Sequence, residues 1–183
     1  GALEKSFLSK KGHFTENFQG NVNPTEVVAN LVCEENDFVA GIENVHEQVK
    51  GSCTLMILTP DSIIAARDKL GRTTAIIGKK DGAYAVASET CAFPNTGYEI
   101  EYYLGPGEIV EITAVGYKTL KPAGEKMQIC SFLWVYYDYP PSYYEGINVD
   151  EVRYRCGAAL AKRDSVKPDF VCGVPDSGVG HAI

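Results

Sequence analysis

Cys53-Thr54-Leu55-Met56-Ile57-Leu58-Thr59, then Pro60-Asp61, then Ser62-Ile63-Ile64-Ala65-Ala66-Arg67 is the run from which the architecture follows. A short aliphatic stretch closed by Pro-Asp reads as a strand ending in a turn, with an apolar run continuing beyond it. Downstream, residues 75–78 and 83–87 read as two more strands. Lys80-Asp81-Gly82 joins them, and Asp-Gly accepts the left-handed conformations that a tight hairpin demands. Residues 108–113 and 117–120 form a further hairpin around Gly116. The block is an antiparallel meander with helices on one side, which makes the fold class α+β.

The helices lie upstream. Leu3, Phe7 and Leu8 mark a short amphipathic helix that stops before Gly12. A polar loop, 13–22, follows. Asn23-Pro24-Thr25-Glu26 is a helix start, with Asn23 as N-cap, Pro24 in the first turn and Glu26 placed for a capping box. Val27, Val28, Leu31 and Val32 supply its apolar face. Residues 37–49 form another helix, with Phe38, Ile42, Val45 and Val49 on one side.

Near residue 127 the pattern changes. Residues 127–137 are apolar and aromatic, and Pro140-Pro141-Ser142 interrupts them. A long helix spans Val149–Arg163, with Val152, Cys156, Ala159 and Leu160 expected inward. Residues 168–174 read as a buried strand, and Pro175-Asp176-Ser177-Gly178 as a turn. Helix, strand, turn and a small-residue segment open an α/β unit. Such a unit needs more strands to close its core, so Ile183 is expected not to be a natural domain end. Gly1, which is not Met and opens no signal peptide, is expected to be a processed or cloned end.

The 183 residues are 45% hydrophobic and carry a net charge of −7. That charge disfavours nucleic-acid binding, which needs a basic face. No apolar run reaches the length of a membrane span. The six cysteines form no C-x-x-C pair, so a zinc knuckle is not expected, and reduced, buried thiols in a cytoplasmic protein are.

Four stretches carry a resemblance. Residues Ala66-Arg67-Asp68-Lys69-Leu70-Gly71-Arg72-Thr73 are similar to the Arg-Asp-Pro-x-Gly-x-Arg-Pro segment of class II glutamine amidotransferases. Ala87-Ser88-Glu89-Thr90-Cys91-Ala92-Phe93 is similar to their Ser-Glu-Thr-Cys-Ala segment. Gly105-Pro106-Gly107-Glu108-Ile109-Val110 is similar to their Pro-Gly-Glu strand start. The fourth stretch is Ile129-Cys130-Ser131, Tyr136, Pro140, Ser142, Gly146-Ile147-Asn148-Val149, Arg153, Gly157, Leu160-Ala161 and Gly173-Val174-Pro175-Asp176-Ser177. It resembles the iron–sulfur branch of the amidophosphoribosyltransferases, the glutamine phosphoribosylpyrophosphate (PRPP) amidotransferases.

The resemblance implies a two-domain enzyme of purine synthesis. Residues 1–127 would be an incomplete N-terminal nucleophile (Ntn) hydrolase αββα sandwich that releases ammonia from glutamine. Residues 128–183 would begin an α/β phosphoribosyltransferase domain that converts PRPP to 5-phosphoribosylamine. The family's nucleophile is an N-terminal cysteine whose own amine is the base. Residue 1 is Gly1 and the first cysteine is Cys33, on a helix, so no catalytic residue is expected in this chain. The family's glutamine-binding Asp falls on Pro24, which leaves Asn23 as a weak glutamine-binding candidate beside its capping role. Lys69 and Thr73 also replace family prolines. These departures keep open an alternative, a non-catalytic paralogue in a regulatory or scaffold role.

Cys130 matches one of four cysteines that hold a [4Fe–4S] cluster, and a buried thiol in an apolar strand is the competing reading. Ser177 matches a serine that binds Mg2+ with PRPP, against an ordinary strand-to-helix cap. The resemblance also implies a homotetramer. Without the sandwich's missing strands, exposed edges would favour association.

Overall fold

In a computed structural model, residues 1–183 are described except 11, 16 and 20, with backbone only at 17 and 18. Helix α1 (Ala2–Ser9) precedes a minimal hairpin, β1 (Asn17–Phe18) with β2 (Asn21–Val22), inside the segment expected to be a loop. Helix α2 (Pro24–Cys33) starts as anticipated: Asn23 Oδ1 accepts from the Thr25 amide at 2.9 Å. Asp37 Oδ1 does the same for the Ala40 amide at the head of α3 (Phe38–Gln48). Each cap satisfies an amide that a helix's first turn leaves unpaired.

The strands then run β3 (Leu55–Leu58), β4 (Ile63–Ala66), β5 (Ile76–Lys80) and β6 (Ala83–Ala87). A short helix α4 (Ala92–Thr96) follows, then β7 (Glu99–Tyr103), β8 (Ile109–Thr113) and β9 (Gly116–Lys121). They form two antiparallel sheets, ordered β3-β4-β8-β9 and β6-β5-β7. A meander by sequence is therefore two stacked sheets in space, because β4 pairs with β8 rather than β5.

The packing explains the unbroken apolar run of β4. Ile64 and Ala66 face Ile42 of α3, while Ala65 joins Ile77, Leu104, Val110 and Ile112 between the sheets. A strand covered on both faces has no polar side to show. Strand β3 lies at an edge: Leu55 and Ile57 pack under the helices, but Leu58 on its other face is 82% exposed. On the outer face of the second sheet, Phe93 of α4 lies where a β-carbon of Gly78 would be. The layers are thus helices, sheet, sheet and the short α4.

Beyond Lys121, a π-helical turn (Leu133–Tyr137) precedes the hairpin β10 (Tyr143–Tyr144) and β11 (Ile147–Asn148). Helix α5 (Val149–Arg163) has the expected bounds, an Asn148 cap on the Glu151 amide, acids in its first turn and Lys162 and Arg163 in its last. That charge order suits the helix dipole. Helix α6 (Ser177–Ala182) ends the chain.

Residues 168–174 are irregular, with a bend at Asp169, and form no strand, and Phe170 is 92% exposed. Apolar content alone does not make a strand; its amides and carbonyls need a partner edge. On α5 the buried residues are Val149 and Arg153, while Ala159 and Leu160 are exposed. The reason is that α6 and the π-turn pack against a different stripe of the helix. Cys130 lies in coil, not in a strand. No cysteine is fully buried: Cys33 and Cys172 are exposed and the other four are half-buried. No described helix is long and apolar enough to cross a membrane.

Candidate functional site

Three places collect the residues singled out by sequence. The first is the head of α2. Asn23 is its N-cap, as the capping reading had it. Glu26 Oε1 accepts from the Thr15 amide at 2.6 Å and the Thr15 hydroxyl at 2.7 Å, which folds the preceding segment over the helix start. Cys53, which packs against the cluster of Leu31, Val32 and Val45, is poorly suited to attack. Burial, and secondarily the charge of Asp68, push its thiol pKa up, and the thiolate is the nucleophile.

The second place is the loop that leaves β4. Arg67 and Asp68 are 3% and 1% exposed. Asp68 Oδ1 accepts from the Leu70 amide at 3.1 Å; Oδ2 accepts from the Thr73 amide at 3.0 Å and the Ser52 hydroxyl at 2.9 Å. Its own carbonyl takes the Gly71 and Gly107 amides at 2.9 and 2.8 Å. Glu108, also buried, accepts from the Tyr102 hydroxyl at 3.0 Å and the Gly105 amide at 2.8 Å. The Arg-Asp and Pro-Gly-Glu motifs are therefore two halves of one buried polar knot. Sequence flagged both stretches but not that they touch. The available signal was charge set directly against apolar strands.

The third place is a cavity of about 540 Å3 walled by residues 136–140 and Arg153 on one side and residues 174–178 on the other. Ser177 is half-buried at its edge. Two of the turn's amides are already engaged, Gly178 by the Val174 carbonyl and Val179 by the Asp176 carbonyl. Arg153 is 2% exposed and donates from Nε to the Trp134 carbonyl at 2.9 Å and from Nη2 to the Asp138 carbonyl at 2.7 Å. It closes the π-turn, while His181 Nε2 lies 3.1 Å from the Val135 carbonyl and so seats α6 on that turn. Close glycine contacts complete the seating: β-carbons at Gly157 and Gly173 would strike the His181 and Gly178 carbonyls. Cys130 stands before the turn, its amide donating to the Tyr144 hydroxyl at 3.2 Å.

Asp138 is the titrating group of this wall. Burial first, and the charge of Glu89 second, raise its pKa from 3.8 to about 6, with Arg153 opposing. The folded state then holds a proton that the unfolded state has released. Its stabilising contribution is fully present below about 3.8 and is lost as pH rises through about 6. After allowance for solvent screening this is on the order of 1 kcal/mol. Urea midpoints at pH 4.5 and pH 7.5 will show it as a loss with rising pH that is smaller in Asp138→Asn; identical pH dependence in both proteins would refute it.

Among the described residues no three His, Cys, Asp or Glu side chains converge as a metal site. Asn23 caps α2, Cys130 lies in coil before the π-turn, and Ser177 opens α6.

No protein-family model matches the chain. The amidophosphoribosyltransferase of Archaeoglobus fulgidus is 35% identical over 164 residues, covering 87% of this chain and 36% of that protein. That of Bacillus subtilis is 36% identical over 162 residues, covering 87% and 34%. The chain thus spans about a third of the length of these relatives. Among solved structures, the B. subtilis glutamine PRPP amidotransferase complexed with ADP and GMP matches at a TM-score of 0.79 and 32% identity, over 99% of this chain and 39% of that one. A structure described as the allosteric regulatory enzyme of purine biosynthesis matches at 0.79 and 33% identity, over 99% and 38%.

Proposed function

The chain belongs to the amidophosphoribosyltransferase family, and from that premise we propose that it is part of an enzyme that makes 5-phosphoribosylamine from PRPP with ammonia taken from glutamine. The single observation that supports this best is the breadth of the structural match, which runs over 99% of the chain, from the sheet layers through the Val174-Pro175-Asp176-Ser177 turn. In this reading residues 1–127 are glutaminase and residues 128–183 open the phosphoribosyltransferase domain. Glutamine is hydrolysed to glutamate and ammonia, and the ammonia nitrogen displaces pyrophosphate from C1 of PRPP. In this reading no residue of this chain serves as the nucleophile or its base.

Asn23 is the proposed glutamine contact, through an oxygen that already caps Thr25. Ser177 is proposed to give one oxygen to the Mg2+ that accompanies PRPP. Mg2+ takes six ligands, so Ser177 and neighbouring Asp176 do not make the site alone. Cys130 fits a [4Fe–4S] cluster only as one of four thiolates, and among the described residues no three His, Cys, Asp or Glu side chains gather as a ligand group. A cytoplasmic homo-oligomer, with the exposed β3 edge inviting association, belongs to the same proposal.

The test is the protein expressed from its complete reading frame. Ammonia released from glutamine, with PRPP-dependent formation of pyrophosphate, is the expected result. Absence of both would sink the proposal and leave a non-catalytic paralogue, the reading that Pro24 in place of a carboxylate favours.

A further inference from the structure

Arg67 leaves β4 into the middle of the molecule. It donates to the carbonyls of Thr73 at 2.9 Å, Leu104 at 2.8 Å and Gly71 at 2.6 Å. Its remaining bond goes to Glu145 Oε1 at 2.5 Å, the sole carboxylate within ion-pair distance among the described residues. A buried guanidinium without a counter-charge is strongly unfavourable, so Glu145 holds a place that water cannot fill equally well.

The position of Glu145 makes that role specific. It occupies the two-residue loop between β10 and β11, at φ +48°, followed by Gly146 at +76°. Two successive left-handed residues make the kind of loop that selects Asn, Asp or Gly, and a glutamate there is conformationally costly. The cost is accepted where the carboxylate has a task the turn itself does not require. Next to it, fully buried Tyr144 donates its hydroxyl to the Arg72 carbonyl at 2.9 Å. Consecutive residues of one hairpin therefore grip both ends of the 67–72 loop. A second strip between the same two parts is neutral: the Tyr143 amide to Thr90 Oγ1 at 2.7 Å, and the Cys91 amide to Ser142 Oγ at 3.4 Å.

We propose that Glu145 is a positioning residue, a latch that clamps the hairpin of residues 143–148 onto the sandwich through Arg67 and so couples release of ammonia to its use. The coupling half rests on the function proposed above. Ammonia is small and mobile, and it escapes wherever the part that frees it and the part that consumes it move apart. The joint has to stay closed during turnover, and this ion pair is its charged, directional bond.

The decisive variant is Glu145→Asn in the complete protein, because Asn suits the left-handed turn and removes only the charge. Glutamine hydrolysis and synthesis driven by added ammonium should each remain within about twofold of the unaltered protein. Phosphoribosylamine formed per glutamine hydrolysed should fall by about tenfold, within the usual range for coupling between sites. Amide exchange should accelerate together in residues 67–73 and 143–148, with β5 and β8 unchanged. Unchanged exchange overturns the latch; faster exchange with an unchanged product-to-glutamine ratio overturns the coupling. Proportional loss of all three activities overturns it too, since that marks a merely structural role. If the unaltered protein performs neither half-reaction, the functional reading fails and takes the coupling with it, while exchange still decides the latch.

Discussion

Asp68→Ala is expected to lower the stability of the chain by about 3 kcal/mol. The carboxylate is 1% exposed and receives four donors: the Leu70 and Thr73 amides and the Ser52 and Thr73 hydroxyls. The hydroxyls lose least, because Ser52, Thr54 and Thr73 already contact one another at 3.0 and 2.6 Å. The two backbone amides have no such substitute. Each unmade buried hydrogen bond costs about 1–3 kcal/mol, and charge-assisted bonds lie toward the upper end. Asp68→Asn should lose about half as much, since one oxygen still accepts while its amide group opposes the donors around it. Urea titration measures both, and a shifted midpoint at constant slope identifies a change of stability alone. A loss below about 1 kcal/mol for the alanine variant would mean that water replaces the carboxylate and that the knot is not load-sharing.

Gly41→Val should cost about 3 kcal/mol, and Gly41→Ala should destabilise as well, against its helix propensity. In an open helix, Gly to Ala gains about 1 kcal/mol. Here Gly41 faces α2 so closely that a β-carbon would strike the Val32 carbonyl oxygen and sit 2.9 Å from Val32 Cγ1. The first obstacle is backbone and cannot rotate away, so α2 and α3 must separate. Val32 and Val45, which form the core beneath them with Leu31, would lose contact with it. Thermal unfolding of both variants checks the sign, and a higher melting temperature for Gly41→Ala would show that the helices separate at no cost.

These expectations also locate what was legible beforehand. Asn23 signalled a helix start because a cap is a local bond between a side chain and an amide two or three residues on. Lys80-Asp81-Gly82 and Gly116 signalled hairpins for the same reason, since turn chemistry is local. The family could be read from motifs that keep their order along the chain. Residues 168–174 failed as a strand because pairing depends on an edge supplied from elsewhere. Leu160 failed as an inward residue because a helix's own periodicity does not say which of its stripes a neighbour will cover.

The sequence by itself determined the α+β class, the positions of most helices and hairpins, and the kinship that gives Ser177, Cys130 and Asn23 their candidate roles. Those are matters of near neighbours and ordered motifs. Only the tertiary structure decided that the aliphatic run through Ile63–Ala66 is a strand covered on both faces, and that the meander splits into two stacked sheets. It also joined Arg67 to Glu145, 78 positions along the chain. The physical reason is that a buried charge selects its partner by proximity in the folded interior, where desolvation makes pairing necessary, and proximity there is a property of packing rather than of sequence order.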